Sequence, residues 1–272
     1  MTAFKFGQKR KKVDDLQSEK AENGSDLQSE KAENASDFQT EKAGNGSELQ
    51  ASIVAENECS KSCVCAKNLT VKYGEKVIFE NLNIEFAKDK INVILGSSGV
   101  GKTTLLNVLA GLKEFDGTLE GADGNVSYIF QKDRLIPTIS VYKNLDLVLK
   151  AKIADRHERK KRIIDMLEML EISDLIDILP TKISGGQAQR VALARAFLFP
   201  SKILLMDEPF RALDTALKSR LLMLLSRLNL ASPRTVVFVT HAIDECLLSA
   251  DKYFVLASSP ATVALSGNIE MP

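Results

Sequence analysis

The chain has 272 residues, 36 basic and 36 acidic side chains, a formal net charge of zero and 44% hydrophobic residues. That length holds one large or two small domains with a sizeable core, and the balanced charge excludes nucleic-acid binding by bulk electrostatics. No apolar run approaches the about 20 residues that span a bilayer; Met1 to Val13 also lacks a leader's apolar stretch, so a cytosolic chain with four free cysteine thiols is expected.

Residues 1–64 form the first part. An eleven-residue unit starting at Asp15 recurs at Asp26 and Asp37, with a fragment from Glu48. Each unit carries one large apolar side chain, in turn Leu16, Leu27, Phe38 and Leu49. One such side chain per repeat buries too little surface to offset the ordering entropy, so a disordered tail with transient helix is expected. A docking arm for a partner accommodates the same pattern. The cluster Lys9-Arg10-Lys11-Lys12 suits anionic headgroups and equally a plain solvated run. Cys59, Cys63 and Cys65 follow. A tetrahedral zinc site needs a fourth ligand, and neither His157 nor His241 is placed to give it, so metal binding at these thiols stays open.

From Ala66 onward strands alternate with helices, the pattern of a mostly parallel sheet covered by helices. Strands are expected at Leu69–Tyr73, Ile84–Phe86, Ile91–Leu95, Val126–Phe130, Ile203–Met206, Thr235–Val239 and Tyr253–Ala257. Between Gln131 and Gly185 strand signals vanish, and Ile163, Ile164, Met166, Leu167 and Leu170 recur at helical spacing. This is a helical insertion. His157 lies in its charged stretch and is expected to be an exposed bystander.

The stretch Gly96-Ser97-Ser98-Gly99-Val100-Gly101-Lys102-Thr103-Thr104 follows a buried strand and opens a helix, Thr104 to Leu112. Its glycines let successive backbone N–H groups turn onto phosphate oxygens, and the helix adds free donors and its positive dipole end. Lys102 is suited to the β- and γ-phosphates and Thr103 to Mg²⁺. A second strand, from Ile203, ends in two carboxylates. Asp207 is suited to holding Mg²⁺ through its water shell, and Glu208 to polarising a water for in-line attack. A third element, Ser184-Gly185-Gly186-Gln187, is another glycine-rich turn opening a helix, Gln187 to Leu198. One chain thus carries two anion-binding turns and one lysine to finish a site. The economical solution is a head-to-tail pair, with Ser184–Gly186 of one subunit closing on the γ-phosphate held by Lys102 of the other.

In this order the motifs resemble those of ABC transporter ATP-binding subunits, from about Ala66 to the C-terminus. Tyr73 matches the aromatic that stacks on adenine and Gly96–Thr104 the Walker A loop. Gln131 matches the Q-loop glutamine, Ser184–Gln187 the signature, and Ile203–Glu208 the Walker B strand. Ala212-Leu213-Asp214 matches the D-loop and Thr240-His241 the switch histidine. Within the family, Phe130-Gln131-Lys132-Asp133-Arg134-Leu135-Ile136-Pro137 and Phe210-Arg211-Ala212-Leu213-Asp214 are most similar to importers of the nitrate, sulfonate, taurine and thiamine-precursor type. Thr138 replaces a frequent Trp of that subgroup, Ala242 a frequent Asp, Ile183 a Leu and Thr103 the commoner Ser. None of these removes a catalytic group.

The resemblance implies an α/β P-loop NTPase core with a mostly parallel sheet, a small antiparallel β subdomain and an inserted α-helical subdomain. It implies an ATP-binding domain over residues 65–272, with the helical subdomain at about 132–190. The implied function is ATP hydrolysis that powers an importer through dimer closure. Glu208 would be the base, His241 and Lys102 would act at the γ-phosphate, Gln131 would join Thr103 and Asp207 around Mg²⁺, and Asp214 would lie across the dimer seam. Implied partners are a second copy, transmembrane permease subunits and, indirectly, a solute-binding protein, at the cytoplasmic face of the membrane. A soluble ABC-type ATPase or a nucleotide sensor is the alternative.

Overall fold

Alternation decides the first two strands. In β1 (Cys63–Tyr73) and β2 (Lys76–Ala87), residues such as Leu69, Val71, Leu82, Ile84 and Phe86 are buried while polar neighbours face out. They pair antiparallel, with bulges where Asn68 and Asn81 take positive φ. β3 (Ile91–Gly96) runs into α1 (Lys102–Leu109), followed by β4 (Asp116–Glu120) and β5 (Val126–Ile129). The helical insertion is α2 (Val141–Lys150), α3 (Arg156–Met169) and α4 (Gly185–Leu198), with short 3-10 turns between the last two. β6 (Ile203–Asp207), α5 (Thr215–Ala231), β7 (Thr235–Thr240), α6 (Ile243–Ser249), β8 (Lys252–Ala257) and β9 (Thr262–Asn268) complete the chain.

This computed structural model describes residues 63–122, 124–211 and 213–269. The chain divides into Met1–Val54 and Ala55–Pro272; the repeats, Lys9–Lys12 and Cys59 lie outside the described residues. Among the described residues no helix is long and apolar enough to cross a membrane, and no group of three or more His, Cys, Asp or Glu is arranged to hold a metal.

The main sheet has the order β5-β6-β7-β3-β8-β9 and is parallel except for β9, while β2-β1-β4 form a separate antiparallel sheet. β6 and β7 are buried along their whole length, as parallel strands covered on both faces must be. Register aligns their carboxyl ends. Leu95 pairs with Thr240, and Asp207 with Val239, so the loop after β3, Glu208 and His241 all leave one edge of the sheet.

Two apolar clusters flank that sheet. One joins β1, β2 and α1 to it through residues such as Phe79, Phe86, Leu105 and Leu106. The other joins α2, α3, α4 and α5 to its opposite face. Asn92 shows how a polar residue is satisfied inside these layers. Fully buried in β3, it donates to the Ala87, Lys90 and Val236 carbonyls and accepts from the Ala87 amide. Arg159 pins α3 to α2, 2.6 Å from Asp146.

Each expected strand overlaps an observed one: β1, β3, β6, β7 and β8 run beyond the expected bounds at one end and β2 at both, while β5 stops at Ile129, one residue short of the expected Phe130. Two edge strands carried no apolar signal: β4 buries almost nothing, and β9 is largely exposed. The first helix ends at Leu109 rather than Leu112. Gly111, at φ +68°, closes a Schellman turn, with Gly111 N–H on the Val108 carbonyl (2.9 Å) and Leu112 N–H on that of Asn107 (2.8 Å). The expectation of free thiols fails in part: Cys63 and Cys65 are each disulfide-bonded, whereas Cys246 is free and buried. His157 is exposed, its amide held by Asp155 at 2.8 Å.

Candidate active site

The glycine-rich loop wraps the lysine that follows it. Nζ of Lys102 donates to the Gly96 carbonyl at 2.7 Å and the Ser97 carbonyl at 2.9 Å. Gly101 caps α1 at φ +112°, and a Cβ there would lie 2.8 Å from Ile78 Cγ2 and 2.9 Å from Phe79 Cζ. At Gly96 a Cβ would meet the Leu256 carbonyl at 2.8 Å. The loop therefore fits only against the neighbouring strands as glycine. Burial lowers the Lys102 pKa from its usual value, opposed by the charges of Glu208 and Asp207.

β6 delivers the carboxylates. Asp207 is 4% exposed, and Thr103 Oγ1 donates to it, 2.9 Å from Oδ2 and 3.2 Å from Oδ1. Desolvation pushes the Asp207 pKa up, against the Thr103 hydrogen bond, which lowers it. Glu208 then takes φ +48°, a conformation uncommon for a residue with a Cβ, while its N–H bonds the Val239 carbonyl at 3.1 Å. Its two oxygens face different side chains: Oε1 is 3.4 Å from His241 Nδ1 and Oε2 3.4 Å from the Arg211 guanidinium at Nη1. Buried Phe210 anchors the chain just beyond.

One polar cleft gathers Ser98, Gly99, Gly101, Lys102, Thr103 and Thr104 with Gln131, Asp207 and Glu208. Arg195 of α4 holds the segment after Gln131, donating to the Asp133 and Arg134 carbonyls at 2.8 Å each. Gly96 and Ser97 contribute the carbonyls under Lys102, and Val100 packs on the core. Such an arrangement can hold a polyphosphate on backbone amides and one ammonium, with a carboxylate beside its far end.

Several expected residues stand elsewhere. Ser184, Gly185, Gly186 and Gln187 do not line this cleft. Ser184 caps α4 in a capping box, its amide on Gln187 Oε1 at 2.8 Å and its hydroxyl taking the Gln187 N–H at 3.3 Å. Asp214 caps α5, accepting the Leu217 amide at 3.0 Å; that bond holds its carboxyl below the usual range. Tyr73 is half exposed near the β1–β2 turn, with Lys113 Nζ 4.2 Å above its ring. Ala212 lies outside the described residues.

Three residues of the site were not singled out from the sequence. Ile78 forms an apolar wall of the cleft, Arg211 pairs with Glu208, and Gln189 Nε2 bonds the Pro209 carbonyl at 2.5 Å. The position of Gln189, on an otherwise apolar helix face two residues after Gln187, was the available signal.

Residues 79–211 match the family model described as ABC transporter. The aliphatic sulfonates import ATP-binding protein SsuB 1 of Xanthomonas axonopodis pv. citri (strain 306) is 35% identical over 210 residues, covering 74% of this chain and 83% of that protein. The chain belongs to the ABC transporter ATP-binding family. The spermidine/putrescine import ATP-binding protein PotA of Pasteurella multocida (strain Pm70) is also 35% identical, but this ABC chain spans only 56% of its length. Among solved structures, the dimeric post-hydrolysis state of the ATP-binding cassette MJ0796 bound to ADP and Pi superposes with a TM-score of 0.69 at 30% identity, over 76% of this chain and 99% of that one.

Proposed function

We propose that this protein is the ATP-hydrolysing subunit of an ABC importer of the sulfonate type, working as a head-to-tail dimer at the cytoplasmic face of the membrane. One observation carries the reading. The cleft that gathers Lys102, Thr103, Asp207 and Glu208 is built entirely without the Ser184–Gly186 turn, so a second copy has a role only it can fill. Import subunits among the relatives favour the transporter over a soluble ATPase or a sensor.

In this reading the amides of Gly99 to Thr104 and the Lys102 ammonium take the β- and γ-phosphates, and Tyr73 takes the adenine. Glu208 accepts a proton from the attacking water while His241 steadies the γ-phosphate. Ser184, Gly185, Gly186 and Gln187 of the second copy close the site, and Asp214 lies on the seam. The Thr103 hydroxyl, already bonded to both Asp207 oxygens, makes with Asp207 and the Gln131 amide a set of hard oxygen donors, which fits Mg²⁺. When bound, that ion neutralises phosphate charge. Gln131 sits where the core meets the helical insertion, and Arg195 gives the following segment a rigid link to α4. Closure around ATP thus reaches the helices that face the permease, and phosphate release reopens the pair.

The test is the Glu208→Gln protein in saturating Mg-ATP, its mass followed by light scattering. A stable dimer with turnover reduced at least about 100-fold is expected, since sealing survives and water activation does not. A protein that stays monomeric, with and without its permease, overturns the reading.

A further inference from the structure

His241 leaves β7 with little to hold it: its side chain is 64% exposed and touches Glu208 at 3.4 Å. What fixes the turn lies behind it. Glu245, on α6, is 3% exposed and has no part in the chemistry above. Its Oε2 accepts the Thr240 hydroxyl at 2.7 Å, and its Oε1 lies 2.9 Å from Lys218 Nζ. Thr240 Oγ1 accepts in turn the Ala242 amide at 3.0 Å. Both neighbours of His241 are therefore tied, directly or through one bond, to a single buried carboxylate.

The other end of this chain of contacts is α5. Lys218 sits in its first turn, donating its own amide to the Asp214 carbonyl at 2.9 Å, while the Asp214 carboxylate caps the helix. Asp214, Lys218, Glu245, Thr240 and His241 thus form one connected path between two loops of the site. An ion pair with one buried partner, like this one, is a weak source of stability compared with apolar residues of the same volume. Its value here is geometric, because charge-assisted bonds fix direction as well as distance.

We infer that Glu245 and Lys218 are a positioning pair for ATP hydrolysis, holding the His241 turn against Glu208 and joining it to the Asp214 end of α5. The inference rests on the reading that His241 acts at the γ-phosphate. A shift of Asp214 when the second copy docks then moves His241 through two contacts, Lys218 to Glu245 and Glu245 to Thr240.

The experiment is a double-mutant cycle on the full-length protein, read by single-turnover ATP hydrolysis with enzyme in excess. Glu245→Gln lowers the rate constant about tenfold or more, with the apparent affinity for ATP changed less than about twofold. Lys218→Arg keeps near-parent turnover, and Thr240→Val, which replaces the hydroxyl by a methyl group of similar size, behaves like Glu245→Gln. In the His241→Ala background Glu245→Gln costs less than about twofold further, because the group it positions has gone. Equal losses in both backgrounds, or no loss in either, overturn the positioning role. Parent-rate hydrolysis by His241→Ala itself sinks the role of His241, and this inference with it, so the two failures are told apart. Unaltered thermal unfolding of Thr240→Val keeps the test valid should Glu245→Gln fold poorly.

Discussion

Two glycine-rich turns open helices in this protein, and they end in opposite situations. The turn before α1 is folded around its own lysine, pressed on Ile78 and Phe79, and faces two carboxylates. The turn before α4 has Ser184 and Gln187 bonded to each other and lies exposed, away from that cleft. Helix-start chemistry is the same in both. What differs is company: the first turn has nearly a complete site around it, and the second lies outside the cleft that holds Lys102, Asp207 and Glu208. In the function proposed above, a complete site takes one turn of each kind, from two chains.

The largest expected effect breaks that comparison directly. Lys102→Met and Ser184→Arg each lower hydrolysis at least about 100-fold as pure proteins. Mixed together they recover hydrolysis, because the heterodimer pairs an intact Lys102 with an intact Ser184. Failure of the mixture to exceed either parent, with heterodimers shown by mass, means that both turns serve one chain. Ser184→Arg alone keeps monomeric ATP binding, measured with a fluorescent analogue, whereas Lys102→Met weakens it.

A smaller effect separates the turns by backbone. Gly101→Ala forces a Cβ into φ +112° and against Ile78 and Phe79, so about 1–3 kcal/mol of strain is expected together with loss of nucleotide binding. Gly185→Ala meets open space and leaves urea unfolding nearly unchanged. Ser184→Ala removes one half of the capping box and costs about 1 kcal/mol in the same assay. A larger loss than that of Gly101→Ala would reverse the proposed contrast.

The smallest effect tests the core behind both turns. Burial pushes the Cys246 thiol up to about 11, against about 8.5 in an unfolded chain. The folded state thus favours the neutral thiol, and its contribution to stability is lost as pH rises above the unfolded value. Native Cys246 is expected to react slowly with iodoacetamide at pH 8 and fast in urea, followed by mass spectrometry; equal rates would show that the α5–α6 layer opens readily.

Legibility followed burial. The strands that carry chemistry, β3, β6 and β7, are short apolar runs ended by glycine, acid or threonine, and a fully buried parallel strand has no other way to be written. β4 and β9 pair at sheet edges through backbone bonds and bury few side chains, so no apolar pattern in Asp116-Gly117-Thr118 or Ser266-Gly267-Asn268 announced them. The same holds in the site. Lys102, Asp207 and Glu208 stand at fixed offsets from strand ends, and local spacing exposes them. Ile78, Arg211 and Glu245 matter through what folds against them, and no local pattern marks that.

By itself the sequence determined the nucleotide chemistry: a loop of glycines, a lysine, a hydroxyl and two carboxylates are bound to their strands and helices by spacing alone. Tertiary structure decided which of them meet. Parallel pairing of β6 with β7 and of β7 with β3 brings Asp207, His241 and the Gly96–Gly101 loop to one edge, while the Ser184 turn is carried away on α4. Spacing acts along the chain, but sheet register and helix packing act across it, and only those place a residue beside one more than a hundred positions distant.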